Sequence, residues 1–285
     1  MRRWLLIVGL LGSLSAQAQS PVWAIKGAHN TVYLAGSVHL LKAGDSTLPA
    51  AFERAYTAAK ALVMEVDIDD VNSPEAQSLL LEKGMYADGA TLRDSIGEAR
   101  YARVATEAAR LGLPMEQLQI FEPWALALAL TQLQYLQLGF DPESGVEEQL
   151  GRRAHTDNKK IQGLETLEQQ INSLAGLSKD DQARFLDLTV TEMHDAERET
   201  AEVVGAWRSG NIKKLAALLS EDYDSFPSLY RALVSDRNRR WLPQIERFLK
   251  DDQDYLVVVG ALHLVGPGGL LELAKAQGLE PRPLQ

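Results

Sequence analysis

The chain of 285 residues contains no cysteine and only five histidines. Without cysteine it can form neither disulfide bonds nor thiolate metal sites, so any bound metal must be held by histidine and carboxylate side chains. Four signatures of common enzyme classes are also missing: HExxH, GxSxG, the Walker loop and GxGxxG. Their absence argues against zincins, serine hydrolases, nucleotidases and Rossmann dehydrogenases.

Long apolar runs are scarce. Acidic residues outnumber basic ones, with 39 Asp and Glu against 29 Lys and Arg. The formal net charge is −10, which argues against nucleic acid and against an anionic membrane surface as partners. Arg2 and Arg3, an apolar run from Trp4 to Leu14 and the small residues before Ala18 have the layout of a signal peptide over residues 1–18, cleaved near Ala18. The run is shorter than the roughly 20 residues of a spanning helix. We therefore expect an exported protein, periplasmic or secreted, without stable membrane insertion after cleavage; the alternative is an uncleaved anchor.

One short motif occurs twice, near opposite ends of the chain. Residues 32–40 read VYLAGSVHL and residues 256–264 read LVVVGALHL, so each is an apolar run followed by Gly, two further residues and His. The composition predicts two buried strands that end beside His39 and His263. If the two strands are parallel, both imidazoles lie at the carboxyl edge of the sheet, where open α/β sheets bind ligands. The alternative is that each histidine is a hydrogen-bonded residue at a sheet edge.

Strand patterns alternate with helical patterns towards both ends, whereas the middle, about residues 73–250, is predominantly helical. Strands are predicted at VWAIKG, at the two GxxH motifs, at ALVMEVDID (61–69) and at KIQGLE (160–165). This order favours an α/β (α+β) fold with a central mixed sheet, GxxH strands at both chain ends and a large helical subdomain. No linker interrupts the pattern, so residues 19–285 are interpreted as a single domain.

Three carboxylates are candidates for chemistry. Glu65 lies in an otherwise apolar segment, and since a buried charge without a partner is costly, we expect a cation or histidine nearby. Asp67 is a weaker candidate that could orient a neighbouring ligand. Glu165 either lies in the ligand crevice predicted for the two histidines or stabilises the start of the next helix through the helix dipole. The remaining histidines, His29, His155 and His194, have turn or charged surroundings and are predicted at the surface.

Longer stretches of the sequence resemble the TraB/GumN family. The resemblance rests on WAIKG…VYLAGSVHLL, LVMEVDID, GFDPESGV, GLETLEQQ, AWRSGN, SDRNRRW (235–241) and VVVGALHLVGPGGLLELAKAQG. This family is related to the TIKI metalloproteases and, more distantly, to the erythromycin esterase and ChaN folds. The resemblance implies that a pair of GxxH histidines, a glutamate after the first and an arginine in the later helical part share one cleft. These are His39, His263, Glu65 and Arg237; only the resemblance separates Arg237 from its basic neighbours.

The residues and the resemblance together predict a metal-dependent hydrolase with a peptide or protein substrate. His39, His263 and Glu65 are the predicted ligands of a divalent transition metal (Mn, Co or Zn), because imidazole and carboxylate can form an open site that holds water. The Arg237 guanidinium could stabilise an oxyanion or bind a substrate carboxylate. Two other functions stay open: haem or iron binding on a ChaN-like scaffold, and partner binding by a catalytically degenerate site. The sequence identifies neither the substrate nor the oligomeric state.

Overall fold

The computed structural model describes residues 20–285 except Leu40, Ala43 and Asp45, and it leaves out the side chains of residues 219–224. The predicted signal peptide, residues 1–18, lies outside the described residues. Among the residues that the structure describes, no helix combines the length and the apolar character needed to cross a membrane.

Eight strands in the described part of the chain form two sheets. They are β1 (Val22–Lys26), β2 (Thr31–Ser37), β3 (Leu41–Lys42), β4 (Ala61–Met64), β5 (Phe140–Asp141), β6 (Lys160–Gly163), β7 (Tyr255–Gly260) and β8 (Arg282–Pro283). The main sheet has the order β6-β4-β7-β2-β1-β8, and β3 pairs with β5. Strands β6, β4, β7 and β2 are parallel to one another, while β1 and β8 add antiparallel pairings. The predicted α/β class with a mixed central sheet is confirmed.

The two GxxH strands are direct neighbours. In the parallel pairing of β2 with β7, Leu34 lies opposite Val257 and Ser37 lies opposite Gly260. Every residue of β7 is buried, as expected for a parallel strand that is covered on both faces. Because Ser37 and Gly260 are the last residues of their strands, the carboxyl ends of β2 and β7 meet at one edge of the sheet.

Helices cover both faces of the sheet and build the middle of the chain. They are α1 (Ala50–Ala58), α2 (Ile68–Val71), α3 (Pro74–Gly84), α4 (Leu92–Ile96), α5 (Glu98–Arg110), α6 (Met115–Leu118), α7 (Pro123–Gln137), α8 (Val146–Thr156), α9 (Leu167–Ala175), α10 (Lys179–Glu192), α11 (Ala196–Arg208), α12 (Ile212–Ser225), α13 (Pro227–Tyr230), α14 (Asp236–Phe248), α15 (Ala261–Leu264) and α16 (Leu270–Ala276). One apolar cluster, which includes Trp207 of α11, covers one face of the sheet, and Trp241 of α14 belongs to the cluster on the other. A further cluster joins α5, α7 and α10, so the helical part has apolar packing of its own.

Two predicted strands end earlier than their patterns indicated, and one histidine lies beyond the strand of its motif. The strand predicted over 61–69 ends at Met64, because the Asp67 side chain accepts the N–H of Asp69 and caps α2. The strand KIQGLE ends at Gly163. His263 lies in the single turn of α15 and not at the end of a strand, since β7 ends at Gly260. In each case a turn or cap begins within a run whose hydrophobicity continues.

Candidate functional site

A cleft of about 660 Å³ lies where β2 and β7 end. His39, Glu65, Arg237 and His263 all line it, together with Gly260. Apart from His39, these side chains are buried: the residues Glu65, Arg237 and His263 are 5–8% exposed. The cleft therefore brings together polar groups from near both ends of the chain and from the helix α14.

The absence of a side chain at Gly260 creates the space in which these groups meet. A Cβ atom placed on Gly260 would lie 3.3 Å from Oε1 of Glu65, 3.3 Å from Nε2 of His39 and 3.7 Å from Cδ2 of His263. The Gly260 N–H also donates to Oε1 of Glu65 at 2.7 Å. The glycine of the second motif thus leaves room for the close approach of Glu65 and His39, whereas His263 would be in ordinary contact with a Cβ atom there.

Arg237 connects the buried acids to His263. Its Nη2 lies 2.5 Å from Oε2 of Glu65, and its Nε donates to Oε1 of Glu165 at 2.8 Å. Its Nη1 donates to the carbonyl of Leu233 at 3.0 Å and faces Nε2 of His263 at 3.1 Å. One guanidinium therefore pairs with two buried acidic side chains, which offsets part of the cost of burying these polar groups.

Asn238 determines which nitrogen of His263 carries the proton. Its Nδ2 donates to the carbonyls of His263 and Gly268, at 3.0 and 2.9 Å, so its Oδ1 is the atom that faces Nδ1 of His263 at 2.7 Å. Nδ1 must then carry the proton, and Nε2 accepts from Arg237, which can only donate. Burial lowers the pKa of His263 to about 4 against the opposing charge of Glu65, so the imidazole is neutral at pH 7.

Glu147 controls His39 in the opposite direction. The imidazole of His39 is 65% exposed, and its Nδ1 lies 3.0 Å from Oε1 of Glu147, which also accepts the Ser37 hydroxyl. The negative charge of Glu147 raises the pKa of His39 to about 9. Helix α8 can approach so closely because residue 145 is glycine: a Cβ there would lie 2.1 Å from the carbonyl oxygen of His39.

Glu65 remains a carboxylate although it is buried. Burial by itself would raise the pKa of Glu65, but the charge that His263 carries once it is protonated, the charges of Arg237 and His39, and the N–H of Gly260 together lower it well below its usual range. A general base works best with a pKa near the working pH. The environment of Glu65 therefore suits a metal ligand or an electrostatic partner better than a proton acceptor.

The comparisons with known proteins agree on a family. The model of the TraB/PrgY/gumN family matches residues 21–283. The chain belongs to that family. The YbaP proteins of Escherichia coli (strain K12) and Shigella flexneri, both described as uncharacterized, are each 26% identical over 243 residues, covering 85% of this chain and 87% of theirs. An uncharacterized protein of Treponema pallidum (strain Nichols) is 22% identical over 290 residues, covering 95% of this chain and 85% of its own. No solved structure matches the chain.

In this TraB/PrgY/gumN chain, the residues predicted from the sequence separate into two groups. His39, His263, Glu65 and Arg237 line one cleft, and Glu165 contacts Arg237 from beneath it. Asp67 instead caps α2 through its side chain and does not line the cleft. His29, His155 and His194 are exposed, as predicted.

Sequence reasoning missed three residues that shape the site. Glu147 and Asn238 hold the Nδ1 atoms of the two histidines, and Gln170 lies 3.3 Å from Oε2 of Glu65 through its Nε2. All three have a local signal, and Gln170 is the last residue of GLETLEQQ, a stretch that carries the family resemblance. Glu147 follows GFDPESGV, one of the stretches that carry the family resemblance, and Asn238 is the residue after Arg237 in SDRNRRW. Neither stretch reveals from sequence alone which histidine it serves.

The donor types of the cleft fit a divalent metal, although the arrangement does not present them together. Two imidazoles and a carboxylate are a known ligand set, and each imidazole has its Nδ1 held by a carboxylate or amide oxygen, as ligating histidines usually do. Within the described residues, however, no three His, Cys, Asp or Glu side chains are grouped closely enough to hold an ion. Nη1 of Arg237 faces the one nitrogen of His263 that could ligate.

Proposed function

We propose that this protein is a metal-dependent hydrolase that acts on peptide bonds. The observation that carries the proposal is the convergence of His39, His263 and Glu65 on the space beside Gly260, at the floor of a cleft of ligand size. The resemblance to the TraB/GumN family, which is related to the TIKI metalloproteases and implies that these residues share one cleft, supports the peptide bond as the target.

Nε2 of His39, Nε2 of His263 and a carboxylate oxygen of Glu65 are the atoms that would hold the metal. The metal would supply a Lewis acid and lower the pKa of bound water towards about 7. For His263 to take part, Nη1 of Arg237 must leave its nitrogen. For His39 to take part, its ring must lose the Nε2 proton while the Nδ1 proton stays directed at Glu147.

The protein's own residues then have separate tasks. Asn238 keeps Nε2 of His263 free of a proton, and Glu147 orients the ring of His39 through its Nδ1. Glu165 keeps a second contact with Arg237, so the guanidinium remains anchored when it leaves His263. A guanidinium released in this way can stabilise negative charge that develops on a substrate oxygen.

The deciding experiment measures peptide hydrolysis and metal content on protein purified without a histidine tag. We expect activity to disappear with a chelator and to return with Mn, Co or Zn ions, and His39→Ala and His263→Ala to abolish both activity and metal binding. His29→Ala is the matched control, because His29 is exposed and does not line the cleft. Hydrolysis by well-folded protein that resists the chelator would exclude the proposed mechanism.

Haem or iron binding is the second candidate, and the size of the cleft favours it. About 660 Å³ of mostly apolar surroundings with an imidazole at the floor also suits a flat apolar cofactor that His39 or His263 would hold. Haem titration should then shift the Soret band away from that of free haem, and His39→Ala or His263→Ala should remove the shift. A spectrum that stays that of free haem would reject this candidate, and a cleft that binds neither haem nor metal would leave partner binding by a degenerate site.

Export after cleavage near Ala18 is a separate proposal, based on Arg2, Arg3 and the apolar run that follows. N-terminal sequencing of the protein recovered from a secreting host tests it. A mature chain that begins at residue 19 is expected, whereas an intact leader in the membrane fraction would favour the anchor.

A further inference from the structure

Charge in the cleft is confined to its floor. Of the side chains that line it, the charged or ionisable groups His39, Glu65, Arg237 and His263 surround Gly260, while the inner wall is formed by apolar groups such as Trp124, Ile171, Leu174 and Leu233. Trp124, Ile171 and Leu174 are buried and pack on one another. An occupant that reaches the floor must therefore pass apolar surface.

The mouth of the cleft is also apolar. Val71, Leu80 and Leu128 line it and are 40–41% exposed, and they come from three different helices, α2, α3 and α7. They make up half of the six large hydrophobic residues that are exposed in the described part of the chain. Single exposed apolar residues are normal, but a group at the entrance of a cleft indicates a binding surface.

The polar groups of the cleft favour a polypeptide over a lipid. No lysine lines it in the described residues, and the N–H groups of Arg237 are directed at Glu65, Glu165, Leu233 and His263. The exposed imidazole of His39 is already paired with Glu147, so a phosphate or carboxylate headgroup would have to compete with that carboxylate. The walls instead carry neutral hydrogen-bonding groups on Gln170, Thr200 and Tyr135. Such groups match the peptide N–H and C=O of an extended chain.

From these observations we propose that the cleft takes an uncharged, apolar stretch of polypeptide, with Val71, Leu80 and Leu128 as specificity-determining residues at its entrance. As a statement about the substrate, this rests on the proposed peptide hydrolysis. Lys, Arg, Asp and Glu near the scissile bond are then rejected, because their charges would lose water against apolar walls without gaining a partner.

The test uses two variants at the entrance and two matched controls. Leu80→Lys and Leu128→Lys place a charge at the mouth, whereas Leu81→Lys and Leu136→Lys place the same charge on α3 and α7 at exposed leucines that do not line the cleft. Binding is measured by the fluorescence of Nile red and by its displacement with two capped hexapeptides, one apolar and one with a central lysine. Cleavage sites are mapped by mass spectrometry in a mixed peptide pool, using protein loaded with a divalent transition metal.

We expect the entrance variants to weaken Nile red binding about tenfold or more and the controls to change it less than about twofold. The apolar hexapeptide should displace the dye at least about tenfold better than the lysine peptide, and cleavage should occur between apolar residues. If the apolar peptide displaces Nile red selectively but no peptide is hydrolysed, the cleft prefers apolar polypeptide and the proposed hydrolase function is wrong. Equal displacement by both peptides, equal effects of all four variants, or displacement by oleate but not by the apolar peptide would overturn the inference.

Discussion

The two GxxH motifs have the same sequence pattern and opposite environments. His39 is largely exposed, lies beside Glu147 and has a pKa raised to about 9, whereas His263 is buried, is held by Asn238 and has a pKa lowered to about 4. The motif places each ring at the carboxyl edge of the sheet. The neighbours of the two rings differ: Glu147 of α8 contacts His39, whereas Asn238 and Arg237 of α14 contact the buried ring of His263. Pairs of groups whose pKa values are pushed apart are typical of sites that need both an acid and a base.

The largest expected effect is the loss of activity when either histidine is replaced. The two variants should differ in stability and not in activity. Both His39→Ala and His263→Ala should lower hydrolysis at least about 10²- to 10⁴-fold. Only His263→Ala should also lower the free energy of unfolding, by about 1–3 kcal/mol, because Oδ1 of Asn238 loses its buried partner. Thermal melting together with turnover checks this. Equal melting temperatures for the two variants would mean that their environments differ less than the structure indicates.

The two acids that share Arg237 provide the next comparison. Glu65→Gln and Glu165→Gln each remove one charge from the same guanidinium, so both should destabilise the protein to a similar extent. Because only Glu65 borders the histidines, Glu65→Gln should lower turnover by roughly 10² to 10⁴-fold and Glu165→Gln by far less. Near wild-type turnover in stable Glu65→Gln protein would remove Glu65 from the mechanism.

These comparisons also show which parts of the molecule could be predicted from sequence. The GxxH strands follow from apolar runs closed by glycine, whereas the convergence of their ends depended on a parallel pairing that the sequence left open and the structure shows. The end of β4 at Met64 did not follow, because the alternation of ALVMEVDID continues through the cap that Asp67 makes. Arg237 was singled out only by resemblance: periodicity does not show that Arg237 is buried while Arg239, two residues later, is exposed. Glu147 reaches His39 through a tertiary contact, and the stretch GFDPESGV before it does not show which histidine it contacts.

The glycines of the two motifs should respond differently to alanine. A Cβ at Gly36 would lie 3.0 Å from Cδ1 of Leu264 and 3.2 Å from Cα of Ala261, so Gly36→Ala should cost about 1–3 kcal/mol of stability through overpacking. A Cβ at Gly260 would instead contact Glu65 and His39, so Gly260→Ala should lower turnover more than stability. Urea unfolding and turnover on both variants test the contrast, and a stable, fully active Gly260→Ala protein would contradict it.

The smallest expected effect is the response of the two rings to pH. The favourable contribution of His39 is fully present below pH 6.5 and is lost as the pH rises through about 9; that of His263 is present above pH 6.5 and is lost as the pH falls through about 4. Because water screens the exposed pair of His39 and Glu147, its contribution to the free energy of unfolding should stay below about 1 kcal/mol. In Glu147→Gln the pKa of His39 should fall towards 6.5 while that of His263 is unchanged. NMR titration of both rings measures this, and an unmoved His39 would exclude Glu147 as the cause.

The position of β7 between β4 and β2 has a consequence for biosynthesis. The strand at the centre of the sheet leaves the ribosome long after its neighbours β2 and β4, and until it arrives these two strands have no common neighbour. The nascent chain therefore lacks both the middle of its sheet and His263, so neither the native core nor the site can form before residues 255–264 have been translated. A product shortened by premature termination would carry the first histidine motif without folding around it.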